Sequence, residues 1–353
     1  MWGDFTDHQG TQTRSAASLT KVATTIAVLT EFEPDYRFTT EIYGVGQAIN
    51  GTWQGDLIIN SEGNPMMVWE EGFALAHGLE DLGIKRIEGN LIVVGNLFMN
   101  YQSDPQVAGN LLKQSFNSNN WPPQASQVYG VMASKLPKPQ LAITGQVKLS
   151  DQLPANSKLL LSHKSLKLQE IIRQMNIHSN NKIAEMLADR VGGGPAVAQT
   201  AATLTQVPPG EIKLINGSGL GVDNRISPRA ACGMFLALEK QLQPYNLTVG
   251  DLFPVGNKDR NVGTMEDRRI PPGVAIKTGT LREVSALAGL IPDQERGSVC
   301  FAIINGGSGK IPYLRGQQDN FLQNLTQNWT IEDAFLDGVP SEQLGDRDRL
   351  TLF

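Results

Sequence analysis

Between Val274 and Thr280 the chain reads VAIKTGT, and how that stretch is read decides the fold. It has the look of a strand, with Lys277, Thr278 and Gly279 inside it and Thr280 at its end. A lysine and a threonine hydroxyl at the inner edge of a strand can bind a carboxylate, and a glycine beside them clears space for a substrate backbone. Taken alone, the same lysine is an ordinary guard on an exposed sheet edge. Downstream, SALAGLI (285–291) and GSVCFAII (297–304) follow after short turns, which predicts an antiparallel meander of three strands.

Upstream lie two partners for this strand. RSAASLTKVATTIAVL (14–29) places Ser18 three residues before Lys21 at the head of a run in which Val22, Ile26 and Leu29 recur at helical spacing, ended by Pro34. On a helix, positions i and i+3 share a face, so the Lys21 amine can reach the Ser18 hydroxyl, and the helix N-terminus favours negative charge there. Such a lysine acts as a base only if desolvation or a neighbouring cation makes its neutral form accessible. A serine followed by a lysine is equally a plain helix cap, and the pattern recurs at Ser179 and Lys182. Ser179-x-Asn181 falls on the tight turn between the periodic helices LKLQEIIRQMNI (166–177) and KIAEMLADRV (182–191). Ser115/Asn117 and Ser118/Asn120 repeat that pattern in a polar, proline-flanked stretch that reads as turns.

The three motifs, in this order and each in its proper element, form a set shared by penicillin-binding proteins and β-lactamases. The chain resembles the serine-type D-alanyl-D-alanine peptidases, and more closely the class C low-molecular-mass penicillin-binding proteins. AASLTKVATTIAVL is similar to their nucleophile helix, MNIHSNNKIAEML to their second-motif turn, and NGSGLGVDNRISPRA to a characteristic loop and helix start. AIKTGTL followed by ALAGLI resembles their third-motif strand and its neighbour.

The resemblance implies an α+β penicillin-binding/β-lactamase-like transpeptidase fold, an antiparallel sheet plus a helical cluster, with an inserted smaller domain. The expected division is a peptidase domain from 1–40 and 151–331, an insert over 41–150 and a loose acidic tail over 332–353. It implies a D-Ala-D-Ala carboxypeptidase or endopeptidase acting on peptidoglycan peptides through an acyl-serine, with β-lactam antibiotics as acylating inhibitors. Ser18 is then the nucleophile, Lys21 its base, Ser179 the proton relay, and Asn181 the group that holds Lys21 and a substrate amide. Lys277 supplies positive potential, Thr278 binds the terminal carboxylate beside Gly279, and the Ser18 and Thr280 N–H groups form the oxyanion hole. No cofactor or metal is implied. The family's nucleophile helix normally follows a helix and strands, so a helix this close to residue 1 carries the expectation of a shortened N-terminus. A periplasmic setting follows from the family, although no signal peptide is visible.

Two competing readings share these motifs. A β-lactamase must deacylate quickly, which in one design needs a glutamate-bearing loop, and no such loop stands out between Asn181 and Lys277, where Glu185 is on a helix and Glu211 begins a strand-like run. A catalytically idle peptidoglycan-binding relative is the other.

The bulk properties agree with a globular enzyme of one large domain or two smaller ones: 353 residues, 40% hydrophobic and 18% charged. The net charge of −5, with no basic run interleaved with aromatics, argues against nucleic acid, and no apolar window is long enough for a membrane span. Four histidines without metal-ligand spacing argue against zinc. Cys232 and Cys300 lie in apolar contexts and are expected as two buried thiols rather than a disulfide. Asn50-Gly51 predicts a tight hairpin turn, WEEGFALAHGLEDLG a helix ending at Gly83, GNLIVVGN a buried strand, and the polar stretch 97–140 a long surface segment.

Overall fold

The computed structural model describes residues 7–132, 136–307, 309–332, 335 and 342–353. The chain divides into two compact units, Met1–Asp35 with Leu168–Pro340, and Tyr36–Lys167 with Ser341–Phe353. These limits differ from the expected ones for a reason rooted in backbone pairing. The strand Lys158–Lys164, assigned from sequence to the peptidase domain, pairs with Thr39–Ile49 in the second unit. The stretch Leu350–Leu352, expected in a loose tail, pairs antiparallel with that same strand, and Leu350 packs on the unit's core.

In the first unit the expected meander forms. Ala275–Leu281, Val284–Asp293 and Gly297–Gly306 lie side by side, antiparallel, with Lys277 opposite Ala288 and Thr280 opposite Ser285. Every residue of the middle strand is buried, because helices Pro228–Leu242 and Ile311–Thr326 pack against it. A strand covered this way reads as continuous apolar sequence rather than alternation. Val274, Ile276, Leu287, Ile291, Phe301 and Leu322 form the core beneath it.

The helix Pro228–Leu242 also lies on the strand Gly297–Gly306, which brings the Cα atoms of Cys232 and Cys300 to 5.4 Å, and the two are joined as a disulfide. The expectation of two free thiols is therefore corrected. The pairing joins residues 68 positions apart, and only the helix-on-strand contact makes it geometrically possible.

Helices of this unit also pack around Thr20–Glu31, which is buried continuously from Thr20 to Leu29. It packs against Asn181–Arg190, Pro228–Leu242 and Gly193–Thr205, the last a small-residue helix with no counterpart in the sequence reading. Within this buried helix Thr25 satisfies its hydroxyl by donating to the Lys21 carbonyl at 2.8 Å.

The second unit is a mixed sheet with helices. Thr39–Ile49 and Thr52–Ser61 form the predicted hairpin, and Asn50 (φ 50°) and Gly51 (φ 80°) supply the two positive φ angles of its turn. Strands Arg86–Glu88 and Leu91–Gly95 add in parallel, and Trp69–Asp81 is the predicted helix, with Gly83 at φ 80° just past its end. The stretch 97–140, expected as irregular surface, contains helices Pro105–Ser115 and Pro123–Val131. Asp104 caps the first by accepting from the Val107 N–H at 2.8 Å, and Ala108 and Leu112 join the core. Among the described residues no helix is long and apolar enough to cross a membrane.

Candidate active site

The chain enters the buried helix through a short 3-10 turn, Ala17–Leu19, in which Ala17 takes a positive φ of 47°. A non-glycine residue in that region is uncommon and is held only by its surroundings. Ser18 emerges from this turn half-buried, and Lys21, one helical turn on, is fully buried.

Three groups meet the Lys21 amine. Its Nζ lies 2.9 Å from Ser18 Oγ and donates to Asn181 Oδ1 at 2.7 Å and to the Ser218 carbonyl at 2.7 Å. Asn181 Oδ1 and the carbonyl accept only, so in a neutral amine they take both N–H groups. The lone pair is then left facing Ser18, the one partner that has a proton to give. Burial supplies the neutral form, since it lowers the Lys21 pKa to about 7 against the opposing pull of the Glu185 carboxylate.

The stretch NGSGLGVDN (216–224) is the frame for this amine. Glu185 accepts from the Gly217 N–H at 2.9 Å and the Ser218 N–H at 3.1 Å, while Thr24 donates to the Gly217 carbonyl at 2.7 Å. Asn224 accepts from the Ile215 N–H at 3.0 Å, and its carbonyl receives the Ala16 N–H at 3.0 Å. Gly219, at φ 79°, lies so near the nucleophile turn that a Cβ there would be 1.9 Å from the Ala17 carbonyl oxygen. The Ser218 carbonyl and Glu185 are the positioning groups that the sequence reading missed.

Ser179 sits in the predicted turn with φ 50°, and Asn180 caps the next helix by accepting from the Lys182 and Ile183 N–H groups at 2.9 and 3.1 Å. That cap makes Asn181 the first helical residue, which is how its amide reaches Lys21. Lys277 Nζ donates to Ser179 Oγ at 3.1 Å and to the Thr278 carbonyl at 3.0 Å. Burial, reinforced by repulsion from Lys21, pushes the Lys277 pKa well below the ordinary lysine range.

All eight candidate residues thus lie in the first unit, on elements that touch. Ser18, Lys21 and Asn181 form one hydrogen-bonded group, and Ser179 and Lys277 another. Thr278 is nearly buried and Thr280 is exposed at the strand end. Gly279 also packs against the nucleophile turn. A Cβ there would lie 2.7 Å from the Ala16 carbonyl oxygen and 3.1 Å from the Ser18 nitrogen, so the glycine lets the strand approach the nucleophile turn itself. The arrangement can activate a serine hydroxyl and transfer an acyl group to it. No group of three metal-ligating side chains occurs among the described residues.

A sequence model of the D-Ala-D-Ala carboxypeptidase 3 (S13) family matches residues 4–129 and 106–325. The D-alanyl-D-alanine carboxypeptidase DacB of Haemophilus influenzae is 23% identical over 397 residues, covering 86% of this chain and 82% of its own. Among solved structures, the penicillin G-acylated endopeptidase Bd3459 of Bdellovibrio bacteriovorus superposes with a TM-score of 0.80 at 22% identity, over 98% of this chain and 94% of that one. Penicillin-binding protein 4 of Haemophilus influenzae gives 0.64 at 20% identity, over 90% and 93%. At these identities the likeness establishes the penicillin-binding protein fold.

Proposed function

The chain belongs to the D-Ala-D-Ala carboxypeptidase 3 (S13) family, a family of serine hydrolases, and on that premise we propose that Ser18 is the acylated nucleophile and Lys21 its base. The observation that carries this reading is the Lys21 amine, whose two acceptor-only partners leave its lone pair to Ser18.

Ser18 Oγ attacks the carbonyl of the D-Ala-D-Ala bond while its proton passes to Lys21 Nζ. The N–H groups of Ser18 and Thr280 stabilise the oxyanion, a type of contact worth about 3 kcal/mol per donor where one has been removed. The proton then moves through Ser179, held by Lys277, to the departing amine, and D-alanine leaves. Water attacks the ester, Lys21 takes its proton, and Ser18 is restored. Thr278 receives the terminal carboxylate beside Gly279.

The substrate class is peptidoglycan peptide ending in D-Ala-D-Ala, which places the work outside the cytoplasm. A β-lactam presents a similar acyl bond and carboxylate, and the penicillin G-acylated state of the fold relative supports acylation of Ser18. The β-lactamase reading loses support from Glu185 and Glu211. The first spends both oxygens on the Gly217 and Ser218 N–H groups, and the second is bound by Ser227 and Arg229.

The purified protein mixed with a fluorescent penicillin is expected to form a stable one-to-one adduct and to release D-alanine from a D-Ala-D-Ala peptide. Rapid multiple turnover of the penicillin would instead identify a lactamase, and silence in both assays an idle relative. Gly279→Ala is expected to lower the acylation rate about a hundredfold with the fold retained, because misplacement of the order of 1 Å between strand and nucleophile costs that much. An unchanged rate would show that the close approach is not used.

A further inference from the structure

The terminal carboxylate of the substrate needs a cation, and the two lysines at the site are poor ones. Burial lowers both, and Lys21 further opposes the charge of Lys277. We propose that Arg315 is the specificity-determining cation of the site, holding the α-carboxylate of the leaving residue through and beside the Thr280 hydroxyl. The proposal rests on the function set out above and adds a residue to it.

Arg315 lies in the first turns of the helix Ile311–Thr326, and its Nη2 donates to Thr280 Oγ1 at 3.0 Å. It is half-exposed, so the guanidinium reaches both the hydroxyl and solvent. A hydroxyl that accepts from a cation keeps its own proton to donate, and an anion is the partner it then favours. Along the strand Ala275–Leu281, side chains alternate, so Thr278 and Thr280 face the same way. Two hydroxyls with a guanidinium behind the outer one form a cradle for a carboxylate. The guanidinium is a permanent cation with a forked set of donors, unlike the buried amines.

Rigid packing fixes Arg315 in this place. One turn further along the helix, Gln318 is buried and donates to the Ser285 carbonyl at 3.1 Å and to Asn305 Oδ1 at 2.8 Å. Ser285 is the residue opposite Thr280 in the sheet, so the same register that sets the hydroxyl sets the helix. Asp319, also buried, accepts from Arg268 at 2.7 Å and from the Arg269 N–H at 2.9 Å. The helix is thus anchored immediately after Arg315, on two separate elements.

The test compares an N-acylated peptide ending in D-Ala-D-Ala with its C-terminal carboxamide. In Arg315→Ala, kcat/KM for the carboxylate peptide should fall about tenfold, as expected for loss of a hydrogen bond to a charged group. The carboxamide should change by less than about twofold, and Arg315→Lys should recover part of the loss. In the unaltered enzyme, added salt should erode the preference for the carboxylate, because a half-exposed cation is screened. That measurement does not depend on how the variants fold. An equal loss on both peptides, or a preference indifferent to Arg315 and to salt, overturns the proposal while leaving the assigned function standing. If the unaltered enzyme releases D-alanine from neither peptide, the assigned function falls and this inference falls with it.

Discussion

Ser18→Ala is expected to abolish the covalent adduct with fluorescent penicillin and to lower D-alanine release by at least about four orders of magnitude. Removing the nucleophile of a serine acyltransferase removes the covalent route itself, and losses of this size are seen when such a group is deleted. The substitution deletes one oxygen at a half-buried position, so the thermal midpoint should hardly move. Mass spectrometry of the protein after incubation with benzylpenicillin is the direct check. An adduct persisting in Ser18→Ala would place the nucleophile elsewhere, and Ser179 would be the first residue to examine.

Lys21→Met should come next in size. Methionine keeps roughly the volume and flexibility of the buried stem and deletes the amine, so Ser18 loses its base while the site stays filled. A positioned base is worth about 10²- to 10⁴-fold, and acylation should slow by that factor. The pH profile gives a sharper check. The base works when neutral, and burial sets the Lys21 pKa at about 7. The acylation rate of the unaltered enzyme should therefore rise through about pH 7 and level off above it. In Lys21→Met that limb should vanish. A profile still rising through the same range in the variant would assign the titration to another group.

The elements that carry chemistry were legible because each depends on local pattern. The strand around Lys277, the helix after Ser18 and the turn at Ser179 are set by spacing within a dozen residues, and they form where expected. What could not be read depends on contacts made across the fold. The Cys232–Cys300 bond exists because one helix lies on one strand, a fact absent from either local sequence. The Ser218 carbonyl is a backbone atom, and any residue there would display it. The close approach of Gly279 to the Ala16 carbonyl joins residues far apart in the chain and is likewise absent from the local sequence. In the stretch 97–140 the polar composition outweighed a cap that was present, the Asp104-Pro105 pair that opens a helix. Leu350–Leu352 is too short a strand to announce itself without its partner.

The pairing of Leu350–Leu352 with Lys158–Lys164 has a consequence for biogenesis. Both units are assembled from stretches far apart in the chain, and each waits for the other's residues to be made. The turn that bears Ser18 is made before the elements that bury Lys21, which come only after residue 168. The hairpin unit in turn keeps one sheet edge open until residue 352 arrives. Such distant pairings are slow to close and leave strand edges available to the wrong partner meanwhile. A nascent chain of this design exposes the edge of the strand Lys158–Lys164 until Leu350–Leu352 has been made.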